Sequence, residues 1–147
     1  MIERQIGECG LRRNADCNLV VILTPRCWVL EEYARNARVT LYSSARDLAN
    51  LTRILLNNPT FASIVGTRTK TIYTEAKRPI LLANTNNLLA NPDYHGVKTG
   101  FTNGAGECLI TLTGDAPKEI LTVLLGSTNR FGESDTINSW LNTHFVW

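Results

Sequence analysis

Three β-rich stretches, Val97–Thr102, Glu107–Thr113 and Glu119–Leu125, follow one another with almost nothing between them. The connections are Asn103-Gly104-Ala105-Gly106 and Gly114-Asp115-Ala116-Pro117. Connections this short join antiparallel neighbours, because a parallel crossover needs a dozen or more residues. The sequence therefore predicts a three-stranded meander. Ile120–Leu125 is apolar on both faces apart from Thr122, so it must be covered on both sides. A helix expected from near Ser134, with Ile137, Trp140, Leu141 and Phe145 on one face, can cover one side. Another element must cover the other.

Upstream, the local signals agree with one another from Leu41 onward. Ser44, with Asp47 three residues later, makes a capping-box-like helix start. Leu48, Leu51 and Leu55 then recur at helical spacing and predict one apolar face. Asn57-Asn58-Pro59 ends that helix, because the residue before a proline avoids the helical region. Pro59 opens a short second helix carrying Phe61, Ile64 and Val65, stopped at Gly66. Thr67–Tyr73 reads as a strand, Ala76-Lys77-Arg78-Pro79 as a turn, and Ile80–Ala83 as the returning strand.

Residues 1 to about 40 differ in character. They hold Cys9, Cys17 and Cys27 and many arginines, but no serine and no lysine. Cys17–Leu23 reads as a strand and Val29–Arg38 as a short helix. The four cysteines, Cys108 included, fit no zinc spacing, and His95 and His144 lie far from the first three. Free thiols and no metal are expected, with Cys108 a small core residue. No cofactor is implied.

With 147 residues, the chain has room for one domain with a real core. Its net charge of +2 is small and its basic residues are scattered, which argues against a nucleic-acid surface. The apolar run Leu19–Leu23 falls far short of a membrane span or a secretory signal. On that reading no route out of the cytoplasm is evident.

The chemistry is concentrated in His95-Gly96-Val97-Lys98-Thr99-Gly100-Phe101-Thr102-Asn103-Gly104-Ala105-Gly106. Alone, Lys-Thr-Gly is a chance tripeptide on an ordinary exposed strand. Here it enters a strand that runs into a glycine turn, an antiparallel hairpin and a terminal helix. Penicillin-interacting serine enzymes use K-T-G in that setting, together with S-x-x-K and S-x-N. Leu41–Ala49, Asn84-Thr85-Asn86-Asn87-Leu88-Leu89 and Gly96–Thr102, in this order, resemble the D-alanyl-D-alanine carboxypeptidases, the low-molecular-mass penicillin-binding proteins of peptidase S11 type. The resemblance runs from Leu41 to the end.

What the resemblance implies is an α+β, β-lactamase/transpeptidase-like fold, here incomplete. It would consist of the meander with the Lys-Thr-Gly strand, a C-terminal helix and a helical segment. Residues 1–40 would be a divergent segment and 41–147 a partial catalytic domain. The family binds a peptidoglycan-type peptide ending in D-Ala beside the K-T-G strand, on the extracytoplasmic side. By similarity Lys98 supplies a fixed positive charge, and Thr99 and Thr102 offer hydroxyls to the peptide carboxylate. Gly100 would let the ligand approach the backbone, and the Phe101 amide would be an oxyanion-hole donor. Arg130 is either a second carboxylate partner or a solvent-exposed charge. Strand alternation sets Lys98, Gly100 and Thr102 on one face and Thr99 on the other, so a shared ligand needs a twisted or edge strand. The carboxylate reading further requires the Lys98 ammonium at a groove and the backbone beside it outside a closed sheet.

The family's nucleophile is missing. No serine is followed three residues later by lysine, and the first lysine is Lys70. The S-x-N motif should precede Leu41, where there is no serine; Ser127-Thr128-Asn129 has the letters but follows the K-T-G strand. Ser43 and Ser44 sit at a helix start, where capping is the simpler role. The chain is thus expected to be a catalytically incomplete remnant of a truncated or frame-shifted reading frame, or a non-catalytic peptide-binding module, with a separate chain as one source of the missing motifs. His95 also departs from the family's usual aspartate and bears on loop geometry. His144 is expected to pack near Trp140. The K-T-G strand and the last strand risk being open edges, hence poor solubility, unless residues 1–40 or another chain cover them.

Overall fold

The computed structural model describes residues 12–14, 17–23, 28–34, 37–115 and 118–145, with side chains from Ser43 onward. The expectations for Cys9, Cys17 and Cys27 as thiols lie outside these side chains.

The meander forms as predicted. β7 (Tyr94–Thr102), β8 (Gly106–Thr113) and β9 (Ile120–Ser127) pair antiparallel in sequence order. The turn between β7 and β8 needs a glycine: Gly106 has φ of +69°, and a Cβ there would lie 3.3 Å from the Gly126 Cα. β1 (Arg12–Asn14) and β2 (Cys17–Leu23) extend the sheet to five strands in the order β1-β2-β9-β8-β7. β2 runs parallel to β9, pairing Leu19 with Ile120 through Leu23 with Leu124. The last strand is therefore covered by part of the N-terminal segment, and β7 alone of the meander is left at the sheet edge. Val29–Arg38 is not a helix. β3 (Trp28–Ala34) and β4 (Ala37–Ser43) form an antiparallel hairpin in which Leu30 faces Leu41. The β-branched and aromatic residues of Val39–Tyr42 pair with the Leu-Glu-Glu stretch and override its local helix preference.

α1 (Ala45–Leu56) begins where predicted. The Asp47 amide donates to the Ser44 hydroxyl at 3.1 Å, and that hydroxyl donates to the Asp47 carboxylate at 2.7 Å. Its buried face overlaps the predicted one only in part: Leu48 packs half-buried against the sheet, but Leu51 and Leu55 turn outward. Ala45, Ala49 and Thr52 are buried, whereas Leu51 is 52% exposed and Ile54 69%. Small side chains let the helix approach the sheet closely, so proximity, not bulk, selects the inward face. α2 (Pro59–Gly66) starts at the expected proline, with the Asn58 side chain accepting from Thr60 and Phe61.

β5 (Thr69–Tyr73) and β6 (Pro79–Ala83) make the expected hairpin, and every residue of both strands is exposed. A 3₁₀ turn at Asn87–Ala90 leads into β7. α3 (Arg130–His144) starts four residues before Ser134, capped by Asn129, whose side chain accepts from the Gly132 amide. The His144 ring stacks on Trp140 with centroids 4.7 Å apart, the packing role expected.

Two apolar clusters sandwich β9 as its composition demands. On one face Leu109, Ile120 and Leu124 meet Tyr94, Leu88, Ile137 and Leu141 of α3. On the other, Ile110, Leu112, Leu121, Val123 and Leu125 meet Ala45 and Ala49, with Phe61, Val65 and the half-buried Cys108 against them. The second cover is α1 with α2. Leu121 and Leu141 are fully excluded from solvent. Burying each such leucine contributes about 1.5–3 kcal/mol relative to exposure. Among the described residues no helix is long and apolar enough to cross a membrane.

Candidate functional site

β7 carries the Lys-Thr-Gly run, and its outer edge bonds to no other strand among the described residues. The register resolves the alternation expected for this strand. Lys98 lies opposite Ile110, over the α1–α2 cluster, and Thr99 opposite Leu109, over the α3 cluster. The exposed Lys98 side chain turns back along the strand, and its ammonium donates to the Thr99 carbonyl. Cation and hydroxyl thus meet at one stretch of backbone although they leave from opposite faces.

Thr99 has a partner that the sequence did not announce. Its hydroxyl lies 2.6 Å from that of Thr85, fourteen residues upstream. Flanking asparagines fix the loop that carries Thr85. The Asn84 amide donates to the Val65 and Thr67 carbonyls at 3.3 and 3.2 Å, and its oxygen accepts from the Asn86 amide at 3.0 Å. Asn86, buried, donates to the Gly96 carbonyl of β7 itself at 3.0 Å and accepts from Leu88 N–H at 3.1 Å. The loop is therefore tied on one side to the end of α2 and on the other to the strand that bears Thr99.

Arg130, at the start of α3, donates from Nη1 to the Gly100 carbonyl at 2.8 Å. Its backbone amide donates to the Glu107 carboxylate at 2.9 Å, and its guanidinium lies 4.9 Å from the centre of the Phe131 ring. It is half-buried against the strand, not a free surface charge. Thr102 serves the turn, its hydroxyl accepting from the Ala105 amide at 3.0 Å. A Cβ added at Gly100 would meet only the Cys108 Cβ, at an ordinary 3.6 Å. Packing within the described chain does not demand glycine there. Phe101, beside these residues, is 63% exposed.

Among the described residues the backbone beside Lys98 lies at the rim of the sheet, with β8 as its only paired strand. Two clefts of about 480 and 450 Å³ lie between α1, α2 and the far end of the sheet, sharing Leu56, Ala62, Leu112 and Glu119. Neither is lined by Lys98, Thr99 or Arg130. His95 stands apart from the motif, 3.6 Å from the Asp115 carboxylate.

Close by, the Tyr94 hydroxyl donates to the Asp135 carboxylate at 2.7 Å, tying the base of β7 to α3. Burial, reinforced by that hydrogen bond and by the negative charge of Asp135, pushes the Tyr94 phenol well above its ordinary value. It stays a neutral donor. Among the described residues no three His, Cys, Asp or Glu side chains gather as metal ligands would.

Known proteins with this arrangement can now be compared. The D-alanyl-D-alanine carboxypeptidase family model matches residues 29–129. D-alanyl-D-alanine carboxypeptidase DacC of Escherichia coli (strain K12) is 29% identical over 104 residues, 67% of this chain and 25% of that protein. The crystal structure of the Streptomyces K15 DD-transpeptidase superposes with a TM-score of 0.59 at 27% identity, over 74% of this chain and 43% of that one. A penicillin-binding protein homolog from Mycobacterium tuberculosis shares the fold at a TM-score of 0.61 and 22% identity, over 71% of this chain and 42% of that one. The chain spans a quarter of the curated relative and less than half of these solved ones. The α+β fold is β-lactamase/transpeptidase-like, and the chain belongs to the D-alanyl-D-alanine carboxypeptidase family.

Proposed function

We propose that this chain retains the substrate-binding wall of a serine acyl-transfer site and, by itself, performs no acyl transfer. In this reading a peptide ending in D-Ala adds as a strand along the open edge of β7, as extended peptides add to other exposed sheet edges. Its carboxylate is met by the Lys98 ammonium and the Thr99 hydroxyl, with Arg130 alongside. Gly100 keeps the backbone accessible, the Phe101 amide faces the scissile carbonyl, and Thr102 acts indirectly by holding the turn. The observation that carries this proposal is that the Lys98 ammonium, the Thr99 hydroxyl and the Arg130 guanidinium gather at two adjacent residues, Thr99 and Gly100, of one edge strand.

Chemistry is a separate matter. Covalent acyl transfer begins with an activated nucleophile, and no serine of this sequence precedes a lysine by three. Ser44 is engaged as a helix cap. In this proposal the serine–lysine pair comes from a separate chain. Exposed Leu51, Ile54 and Ile64 on the outer side of α1 and α2 support such a partner.

Fluorescent penicillin tests the chemical half. The chain alone should acquire no covalent label, and label at any serine would overturn the incomplete-site reading. Titration with a peptide ending in D-Ala-D-Ala tests the binding half: saturable binding supports a peptide-binding module, and its absence leaves an inert remnant.

A further inference from the structure

Two hydroxyls 2.6 Å apart share one proton between them, which leaves a single hydroxyl proton free to point elsewhere. If Thr99 donates to Thr85, Thr99 has nothing left to offer an anion. If Thr85 donates to Thr99, the Thr99 proton is free, and accepting a hydrogen bond polarises that proton further. An anion beside the Lys98 ammonium selects the second arrangement, because only that one turns a positive dipole end toward it. The choice requires Thr85 to hold its place, and the loop is built for that. Asn84 fastens it to the end of α2, and Asn86 fastens it to Gly96 of the strand bearing Thr99. Thr85 itself is exposed, so nothing else in the described chain buries it for the sake of packing.

We infer that Thr85 is a positioning residue for carboxylate recognition, donating to Thr99 so that the Thr99 hydroxyl is committed to the terminal carboxylate of the bound peptide. The inference rests on the peptide-binding reading and adds a residue that the motif itself does not contain. The ligand property it sets is narrow. It distinguishes a free C-terminal acid from the same peptide ending in an amide, since only the acid recruits the oriented proton.

The test uses the full chain and two probes, a peptide ending in D-Ala-D-Ala as the free acid and its C-terminal amide. Thr85→Val keeps the shape and removes the hydroxyl; Thr85→Ser restores it. Thr85→Val should weaken binding of the acid by roughly fivefold to tenfold, the worth of one intramolecular hydrogen bond. The amide should bind as before, and Thr85→Ser should recover the acid. In a Thr99→Val background, Thr85→Val should add nothing, as expected of residues acting through one another. Equal loss for acid and amide, or no rescue by serine, would assign Thr85 to loop structure and overturn the inference. So would unchanged acid binding in Thr85→Val. Should the unaltered chain fail to prefer acid over amide, the carboxylate reading of the whole rim falls and this inference with it.

Discussion

β9 and β7 belong to one sheet, two places apart, and they use their side chains in opposite ways. β9 has strands on both sides and helices over both faces, and six of its residues in a row are buried. β7 is buried only near its start. From Lys98 onward it is partly or wholly exposed, and among the described residues no strand pairs with its outer edge. The contrast separates cost from use. A strand covered everywhere contributes stability and meets no ligand, while an edge strand gives up burial and keeps backbone groups for a visitor. Polar residues of β7 are also held by other elements, Thr99 by Thr85 and Gly100 by Arg130, so exposure there does not mean looseness.

The sharpest way to break that contrast is to cut into β9. Leu121→Ala removes a fully buried side chain and should cost about 2–5 kcal/mol, a large share of a small domain's stability. Denaturant unfolding should show an early midpoint or no cooperative transition. The counterpart on β7 is Lys98→Ala. It should leave the unfolding midpoint nearly unchanged, within about 0.5 kcal/mol, and weaken binding of the D-Ala-D-Ala acid at least about tenfold, as befits hydrogen bonds to charged groups. A large stability loss there, with binding intact, would reverse the roles given to the two strands.

The smallest expected effect lies where β7 is still buried. Tyr94→Phe removes the bond to Asp135 and should cost about 1 kcal/mol near neutral pH. The pH dependence carries a sign. Tyr94 holds its proton more tightly when folded, so its contribution is complete below the ordinary tyrosine value of about 10 and is lost as pH rises past it. The unaltered chain should therefore lose stability more steeply than Tyr94→Phe in alkaline unfolding experiments. Parallel curves would mean that the phenol is not buried in this way.

What the sequence revealed follows the same divide. Local devices were legible: the Ser44–Asp47 cap, the Pro59 helix start and the antiparallel meander stand where read, and the turn read at Ala76–Pro79 lies about two residues earlier, at Thr74–Lys77. The apolar content of β9 foretold cover on both faces. Misreadings arose where distance in sequence hid closeness in space. Leu48, Leu51 and Leu55 make the better hydrophobic stripe, yet only Leu48 joins Ala45, Ala49 and Thr52 against the sheet, because a helix must come near before it can pack. Glu31 and Glu32 favour a helix until Val39–Tyr42 pairs with their strand. The candidate site was legible as a motif on β7, and less so as a place. Neither Thr85 nor the grip of Arg130 on Gly100 leaves any mark in spacing, and Asn84–Leu89 stood in the sequence only as a family block, with no sign that it meets the strand.

Lys98 has one more property that follows from standing on an unprotected rim. A lysine in such a position repels the matching rim of another copy and so keeps molecules from zipping together. The residue proposed to meet an anion is thus also a guard against clumping. A lineage that had abandoned wall chemistry altogether would still be penalised for losing it, so persistence of this lysine among descendants would speak for good behaviour in solution as much as for retained purpose.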